Sequence, residues 1–339
     1  MKIQEHYPLS DLTTFHIGGP AKYYAKVTTL AELAEALAFA KKQSVPVLVL
    51  GKGSNVLVSD EEFNGLVIHN AIKGLAVEDS GVVYVGAGEN WDDVVNVAVQ
   101  KNLAGIECLS GVPGSSGGAV VQNIGAYGQT LGDLVTEVEA IEIATGKSKV
   151  FSAAECEFAY RSSWFKINPN KFVITRFRLQ LVPGGEPNIS YQHVKKHFEG
   201  KPNPTLSQVR ELVIRIRGSK GYLIMPGFKS YNTAGSFFKN PVVSTEQFEP
   251  LKPILGDLSL NRFWQTPQGV KIAAAYLMQE SGFIKGYREG TVGISPKHSL
   301  SLVNFGGATA VDIKNLAGKI KDTVYKKFGV ILEEEILYV

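Results

Sequence analysis

Apolar residues along this chain fall into short stretches, some at helical spacing and some nearly continuous, and each spacing predicts a different element. Leu30, Leu33 and Leu37 follow Thr29 at helical intervals, and Glu32 stands where a capping box needs it, so a helix is predicted to begin here. Residues 45–50 are almost wholly apolar and predict a strand buried on both faces of its sheet. Further strands are predicted at 65–69, 82–86, 138–143 and 172–181. A helix starts near Asn90, where Asp92 and Asp93 suit the positive end of its dipole. Pro183-Gly184-Gly185 and Lys201-Pro202-Asn203-Pro204 interrupt the pattern, and the amphipathic segment 210–217 leads into a new unit. Beyond it a helix is predicted over 270–280 and a strand over 299–304. A helix from Val311 has Thr309 and Asp312 as its start, a stripe of Ile313, Leu316, Ile320 and Val324, and Gly329 as its stop. A strand over 330–339 ends the chain. There is no internal repeat, and the class is α+β with mixed sheets.

One stretch obeys neither rhythm. Residues 111–128, GVPGSSGGAVVQNIGAYG, hold six glycines, two serines and no charge. So few side chains let backbone amides approach a ligand, and amides bind phosphate without a cation. A flexible linker is the alternative, but linkers rarely carry Val120, Val121, Ile124 and Tyr127. A second glycine-rich turn, Gly51-Lys52-Gly53-Ser54-Asn55, follows the buried strand 45–50, where α/β sheets bind phosphates. It has neither the Gly-Lys-Ser/Thr ending of a triphosphate loop nor a G-x-G-x-x-G match, and a plain tight turn is its other reading.

Composition narrows the rest. The chain has 339 residues, long for one core, with 44% hydrophobic and 20% charged residues. Its 35 glycines lie in clusters, which points to backbone-lined sites. A net charge of +3 with no basic block beyond 210–220 gives nucleic-acid binding little support. Cys108 and Cys156 share no metal or redox spacing and suit a reducing cytoplasm. The N-terminus has no apolar signal region and no apolar run is long enough to span a bilayer, so a cytoplasmic protein without membrane partner is expected. His193 and His197, four apart, lack an HExxH context, and Ser115 and Ser116 sit in no nucleophile elbow; neither a metal site nor hydrolase chemistry is predicted.

Two glycine-rich loops suggest a ligand with a pyrophosphate and an extended body. The order of the blocks then becomes specific. Gly51 through Asp60, then Gly86-Ala87-Gly88-Glu89-Asn90-Trp91, then 111–128, resemble the flavin-binding half of the UDP-N-acetylenolpyruvoylglucosamine reductases. These belong to the wider fold family of vanillyl-alcohol oxidase and para-cresol methylhydroxylase. The likeness continues through Tyr160-Arg161-Ser162-Ser163-Trp164-Phe165-Lys166, Ala234-Gly235-Ser236-Phe237-Phe238-Lys239-Asn240-Pro241 and Leu332-Glu333-Glu334-Glu335, nearly the whole chain.

The resemblance implies a two-subdomain FAD-binding fold with a C-terminal substrate domain: 1–69, then 70–216 joined by the terminal strand 330–339, then 217–329. It implies non-covalent FAD, NADPH as co-substrate, a UDP-sugar enolpyruvyl ether as substrate, and a monomer. By the same resemblance FAD would meet Gly51, Lys52, Gly53, Ser54, Asn55, Gly114, Ser115, Gly118, Gln122, Asn123, Gly125, Ala126 and Tyr127. Arg161 matches the arginine of a Tyr-Arg-x-Ser motif that holds the substrate carboxylate; a surface salt bridge is its ordinary alternative. Ser236 matches the serine that protonates the carbanionic carbon. Glu335 matches the third catalytic residue by register from Leu332, with Glu333 as fallback; on a strand these two share a face and Glu334 points away.

Tyr191 resembles the tyrosine that, in the larger subclass, closes over the diphosphate. Arg217 and Lys220 fit an Arg-x-x-Lys motif whose lysine meets the same group, although residues 221–227 lengthen the connection that follows. Asn232 or Thr233 lies near a sugar-contacting asparagine, and His298 occupies a substrate-contacting position. A flavin oxidase of the same fold family and a non-catalytic UDP-sugar-binding protein are the rival readings; the Gly-Ser-Phe-Phe block and the lack of a histidine in a covalent-flavin context weigh against the oxidase.

Overall fold

The computed structural model describes residues 1–225, 227–255 and 262–339, so Pro226, in the lengthened 221–227 connection, lies outside the described residues, as do residues 256–261 of the expected third domain. The chain forms two compact units, and neither is continuous in sequence. The first comprises Met1–Pro8, Pro20–Gly53 and Glu62–Ser230; the second comprises Leu9–Gly19, Ser54–Glu61 and Tyr231–Val339.

In the first unit, strands Ile3–Pro8, Pro20–Val27, Phe63–Asn70 and Val47–Leu50 form one mixed sheet in that order. The first pair is antiparallel and the other pairings are parallel. Helix Leu30–Gln43 covers it, burying Leu33, Ala36, Leu37 and Ala40 against Ala25, Leu66 and Ile68. The predicted capping box is only half made: Thr29 Oγ1 accepts from Glu32 N, but the Glu32 carboxylate takes the Thr28 N–H and hydroxyl instead. Five antiparallel strands form a second large sheet, ordered Ser148–Ser152, Val135–Glu142, Phe172–Gln180, Val82–Gly86, Leu75–Val77. Its core gathers Trp91, Val95, Val120, Phe151 and Phe177. Helix Leu206–Ser219, longer than the predicted amphipathic segment, is held at its start by a full capping box between Thr205 and Gln208.

The second unit packs helix Ala310–Phe328 on the antiparallel sheet of Arg288–Glu289, Val292–Ile294 and Leu302–Asn304, and a second three-stranded antiparallel sheet shares the same core. The helix begins with a complete Thr309–Asp312 capping box and ends at Gly329 in the left-handed conformation, and Ile313, Leu316, Ile320 and Val324 are its buried stripe, as predicted. Residues 269–272 form a strand and the helix expected over 270–280 runs only Ala274–Glu280. The largest departure is at the C-terminus. Only Leu337–Tyr338 is a strand, and it pairs in parallel with Val56–Leu57 in the second unit rather than joining residues 70–216.

Candidate active site

The first unit draws three distant sequence blocks together. Lys52 Nζ donates to Asn90 Oδ1 at 2.9 Å, Trp91 N to Gly114 O at 3.2 Å, Ser116 N to Glu89 O at 2.9 Å and Gly117 N to Ala87 O at 2.8 Å. A Cβ on Gly51 would collide with Ser115 Oγ, so a side chain where the two glycine-rich loops touch would displace the hydroxyl that caps helix Ser116–Gln122. The 111–128 stretch is ordered and contains a short helix, Ser116–Gln122, whose N-cap Ser115 accepts from Gly118 N. Gly125–Ala126 and Gln129–Thr130 then pair as a hairpin, with Tyr127 (φ 49°) and Gly128 (φ 88°) at its tip. Positive φ at both tip residues matches the twist of the strands, and only Tyr127 is strained by it.

Arg161 sits on a tight turn closed by reciprocal hydrogen bonds between Ala159 and Ser162, in the left-handed region at φ 55°. That turn is knitted to residues 121–125. Asn123 Nδ2 donates to Ala159 O at 2.8 Å and Ser163 Oγ to Val121 O at 2.7 Å. Lys166 Nζ spans Gln122 Oε1 at 2.6 Å and Arg161 O at 3.1 Å. The Arg161 guanidinium donates to Gly125 O at 2.7 Å and lies 5.3 Å from the Tyr160 ring centroid. Arg161 is half-buried, and its guanidinium is anchored to the backbone of the 125–127 hairpin. Lys166, Ser163 and the Asn123 bond had no role in the sequence reading; the Tyr160–Lys166 block carried them without saying what they touch.

A third cluster forms around Tyr127. The Tyr191 ring meets it edge-to-face with centroids 5.3 Å apart, and Lys220 Nζ lies 5.8 Å from its centroid. Burial pushes both phenols above their usual range, at Tyr127 against the pull of the Arg217 guanidinium. Arg217 is buried: it hydrogen-bonds Tyr127, and its Nε donates to Gly111 O at 3.0 Å. Asp92 accepts from Gly111 N at 2.6 Å and from both ends of the Arg210 fork at 2.7 and 2.8 Å. Burial works against the Asp92 carboxylate, and the Arg210 fork and the Gly111 amide outweigh it, holding its pKa below the usual value. The sequence assigned Asp92 only a helix-dipole role. His193 and His197 lie on helix Gln192–Phe198 against Tyr191 and Phe198.

The second unit holds the other named residues. Gly235 is left-handed (φ 80°), and Ser236, half-buried, precedes two fully buried phenylalanines. Phe237 N donates to Leu300 O at 2.8 Å, and Leu300 N donates to His298 Nδ1 at 3.1 Å. Glu335 N donates to Phe237 O at 2.8 Å, so the Ser236 and Glu335 blocks are neighbours. Asn55 Nδ2 reaches Glu335 O at 3.3 Å, and Asn304 N donates to Asn232 O at 2.9 Å. Residues 333–335 are not a strand with alternating faces. Glu333 is exposed and pairs with Lys239 at 3.2 Å; Glu334 and Glu335 are both half-buried, Glu334 paired with Lys321 at 2.9 Å and Glu335 anchored by its N–H to Phe237 O. Thr233, the alternative to Asn232, is buried with its carbonyl accepting from Thr14 Oγ1 at 2.7 Å.

Uncharged amides at 51–53 and 114–118, the Ser115 and Ser116 hydroxyls and one ammonium at Lys52 are donors suited to the pyrophosphate of an extended cofactor. Ser116 Oγ is buried with no hydrogen-bond partner in the protein. Among the described residues no helix is long and apolar enough to cross a membrane.

Comparison with known proteins agrees with this layout. Residues 21–152 match the family model described as FAD binding domain, and residues 228–339 match the C-terminal domain of UDP-N-acetylenolpyruvoylglucosamine reductase. The chain is 38% identical to the reductase of that name from Streptomyces coelicolor, covering 97% of this chain and 88% of the relative. It is 37% identical to that of Pseudomonas aeruginosa, covering 99% and 98%. The crystal structure of the corresponding reductase from Thermus caldophilus superposes with a TM-score of 0.68 over 100% of both chains at 28% identity.

Proposed function

The chain belongs to the UDP-N-acetylenolpyruvoylglucosamine reductase family, and from that premise we propose how its own residues carry the reaction. The protein is an FAD-dependent oxidoreductase that reduces the enolpyruvyl ether of UDP-N-acetylglucosamine to UDP-N-acetylmuramate with NADPH, a step of peptidoglycan synthesis. FAD held by the glycine-rich loops would supply the two-electron chemistry of the reduction, with NADPH as the hydride source and the terminal carbon of the enolpyruvyl double bond as the acceptor. Negative charge then builds on the substrate carboxylate as an enolate. Arg161 holds that carboxylate with a planar fork, a geometry an ammonium cannot reproduce. Glu335 completes the polar surround of the enolate, and the Ser236 hydroxyl delivers a proton to the carbon next to the carboxylate. A hydroxyl is a weak acid, so this step needs a strongly basic carbon and little water.

Lys220 and Tyr191 take the diphosphate, Asn232 the sugar, and His298 a further substrate contact. FAD is held without a covalent bond by residues 51–55 and by Gly114, Ser115, Gly118, Gln122, Asn123 and the 125–127 hairpin. The enzyme acts as a cytoplasmic monomer. What supports the reading is the Glu335 N–H to Phe237 O bond of 2.8 Å, which ties two blocks about a hundred residues apart in sequence. The test is Ser236→Ala. NADPH is expected to bleach the bound flavin at the wild-type rate, while its reoxidation by the enolpyruvyl sugar falls by about two to four orders of magnitude. Survival of both half-reactions would remove Ser236 from the proton step.

A further inference from the structure

Glu107 is fully buried, yet nothing in the chemistry above uses it. Its carboxylate collects three hydrogen bonds, all from amides: Gly105 N to Oε2 at 2.8 Å, and Gln129 Nε2 and Asn188 N to Oε1 at 2.8 and 2.7 Å. Burying a carboxylate costs several kcal/mol even when it is hydrogen-bonded, so a purely apolar packing role would be served better by an apolar side chain. What distinguishes this carboxylate is the set of chain segments it joins. Gln129 follows the Tyr127 hairpin tip, and Asn188 is three residues before Tyr191.

Asn188 passes the restraint on. Its carbonyl accepts from Cys108 Sγ at 3.2 Å, its Nδ2 donates to Gly128 O at 3.1 Å, and its Oδ1 accepts from Ser190 N at 2.9 Å and Ser190 Oγ at 2.7 Å. All four of its polar groups are therefore engaged, and the next turn of chain is fixed up to Tyr191, whose ring rests on Tyr127 at 5.3 Å. We propose that Glu107 is a positioning residue for substrate binding: through Asn188 it sets the root of Tyr191 so that the phenol stands over Tyr127, ready for the substrate diphosphate. The proposal rests on the reading of Tyr191 as a diphosphate contact.

The test is binding of UDP-N-acetylenolpyruvoylglucosamine to the oxidised holoenzyme by titration calorimetry without NADPH, so that no turnover occurs. Glu107→Gln replaces one acceptor oxygen by a donor facing amide donors. Asn188→Ala cuts the Gly128 and Ser190 bonds and leaves the buried carboxylate alone, which guards against a folding defect in the first variant. Each is expected to weaken Kd by about tenfold, and Tyr191→Ala by a similar factor. Combined with Tyr191→Ala, neither is expected to weaken it further, because a residue acting through Tyr191 has nothing left to position. Flavin reduction by NADPH is expected to keep its wild-type rate in both single variants. Additive losses in the double variants would overturn the inference while leaving the Tyr191 reading intact. A Tyr191→Ala protein that binds the substrate normally would overturn both.

Discussion

At Arg161 the backbone and the side chain do separate jobs. The left-handed φ of 55° costs a non-glycine residue about 1 kcal/mol or more, and the turn survives because Asn123, Ser163 and Lys166 tie it to residues 121–125. The guanidinium, by contrast, is the part to which the proposed reaction assigns a role. Arg161→Lys separates the two, since lysine bears the same backbone strain but has no planar fork. The expected outcome is an unchanged melting temperature, unchanged flavin reduction by NADPH, and a loss of about a hundredfold in reoxidation by the enolpyruvyl sugar. A stopped-flow comparison of the two half-reactions checks this, and an equal loss in both would assign Arg161 to the cofactor instead. At this scale the sequence was legible as far as family membership, through rare combinations of residues such as Tyr160-Arg161 or Gly235-Ser236-Phe237-Phe238. It was silent on Lys166, because a lysine bridging Gln122 and the Arg161 carbonyl is written only in the folded backbone.

Elements were legible in proportion to how local their causes are. Helix Ala310–Phe328 carries its start, stripe and stop within itself, and all three appear where the pattern put them. Helix Ser116–Gln122 begins with a serine and two glycines and could not be read, because glycine opposes helix formation; bonds to Ala87, Glu89 and Ser163 hold it instead. The strand predicted over 330–339 shrinks to Leu337–Tyr338 because its apolar residues Val330, Leu332 and Ile336 fill the second unit's core rather than a ladder. Between helices Trp91–Gln100 and Leu206–Ser219 the Asp92–Arg210 pair is the joint, mostly buried and bidentate. Asp92→Asn leaves Arg210 and the nearby buried Arg217 uncompensated and is expected to cost about 2–4 kcal/mol at neutral pH. Because the folded state lowers the Asp92 pKa, the pair's contribution is complete above the unfolded carboxylate value of about 3.9 and is lost as pH falls through the folded value. The gap between wild type and Asp92→Asn in urea unfolding should therefore close on acidification, and a gap that stayed constant to low pH would show that charge is not what the pair contributes.

For the whole molecule the expectation from sequence was 1–69, then 70–216 joined by the terminal strand 330–339, then 217–329; the chain forms two interleaved units. Residues 9–19 and 54–61 precede most of the first unit in sequence yet bury Phe15, Ile17 and Leu57 in the core of the second. Their backbone partners are equally remote: Ser59 N donates to Val339 O, Leu337 N to Asn55 O, and Asp60 accepts from Ala310 N and Val311 N. No local signal announces this, since a short apolar loop reads the same whether its partners lie ten or three hundred residues away. A consequence follows for dissection. A fragment of residues 1–230 retains the first unit but strands both inserted segments, leaving those side chains in water and the Asp60 carboxylate without its helix. Folding is then opposed by exposed apolar surface that at the usual ~25 cal/mol per Å² is worth several kcal/mol. The fragment alone is expected to be poorly soluble and to show no cooperative thermal transition, whereas co-expression with residues 231–339 restores a soluble, yellow, flavin-binding complex. Calorimetry and the visible spectrum of the two preparations decide it. A fragment that unfolded cooperatively by itself and retained flavin would mean that the inserted segments contribute nothing to the first unit's stability, and that the interleaving serves the second unit alone.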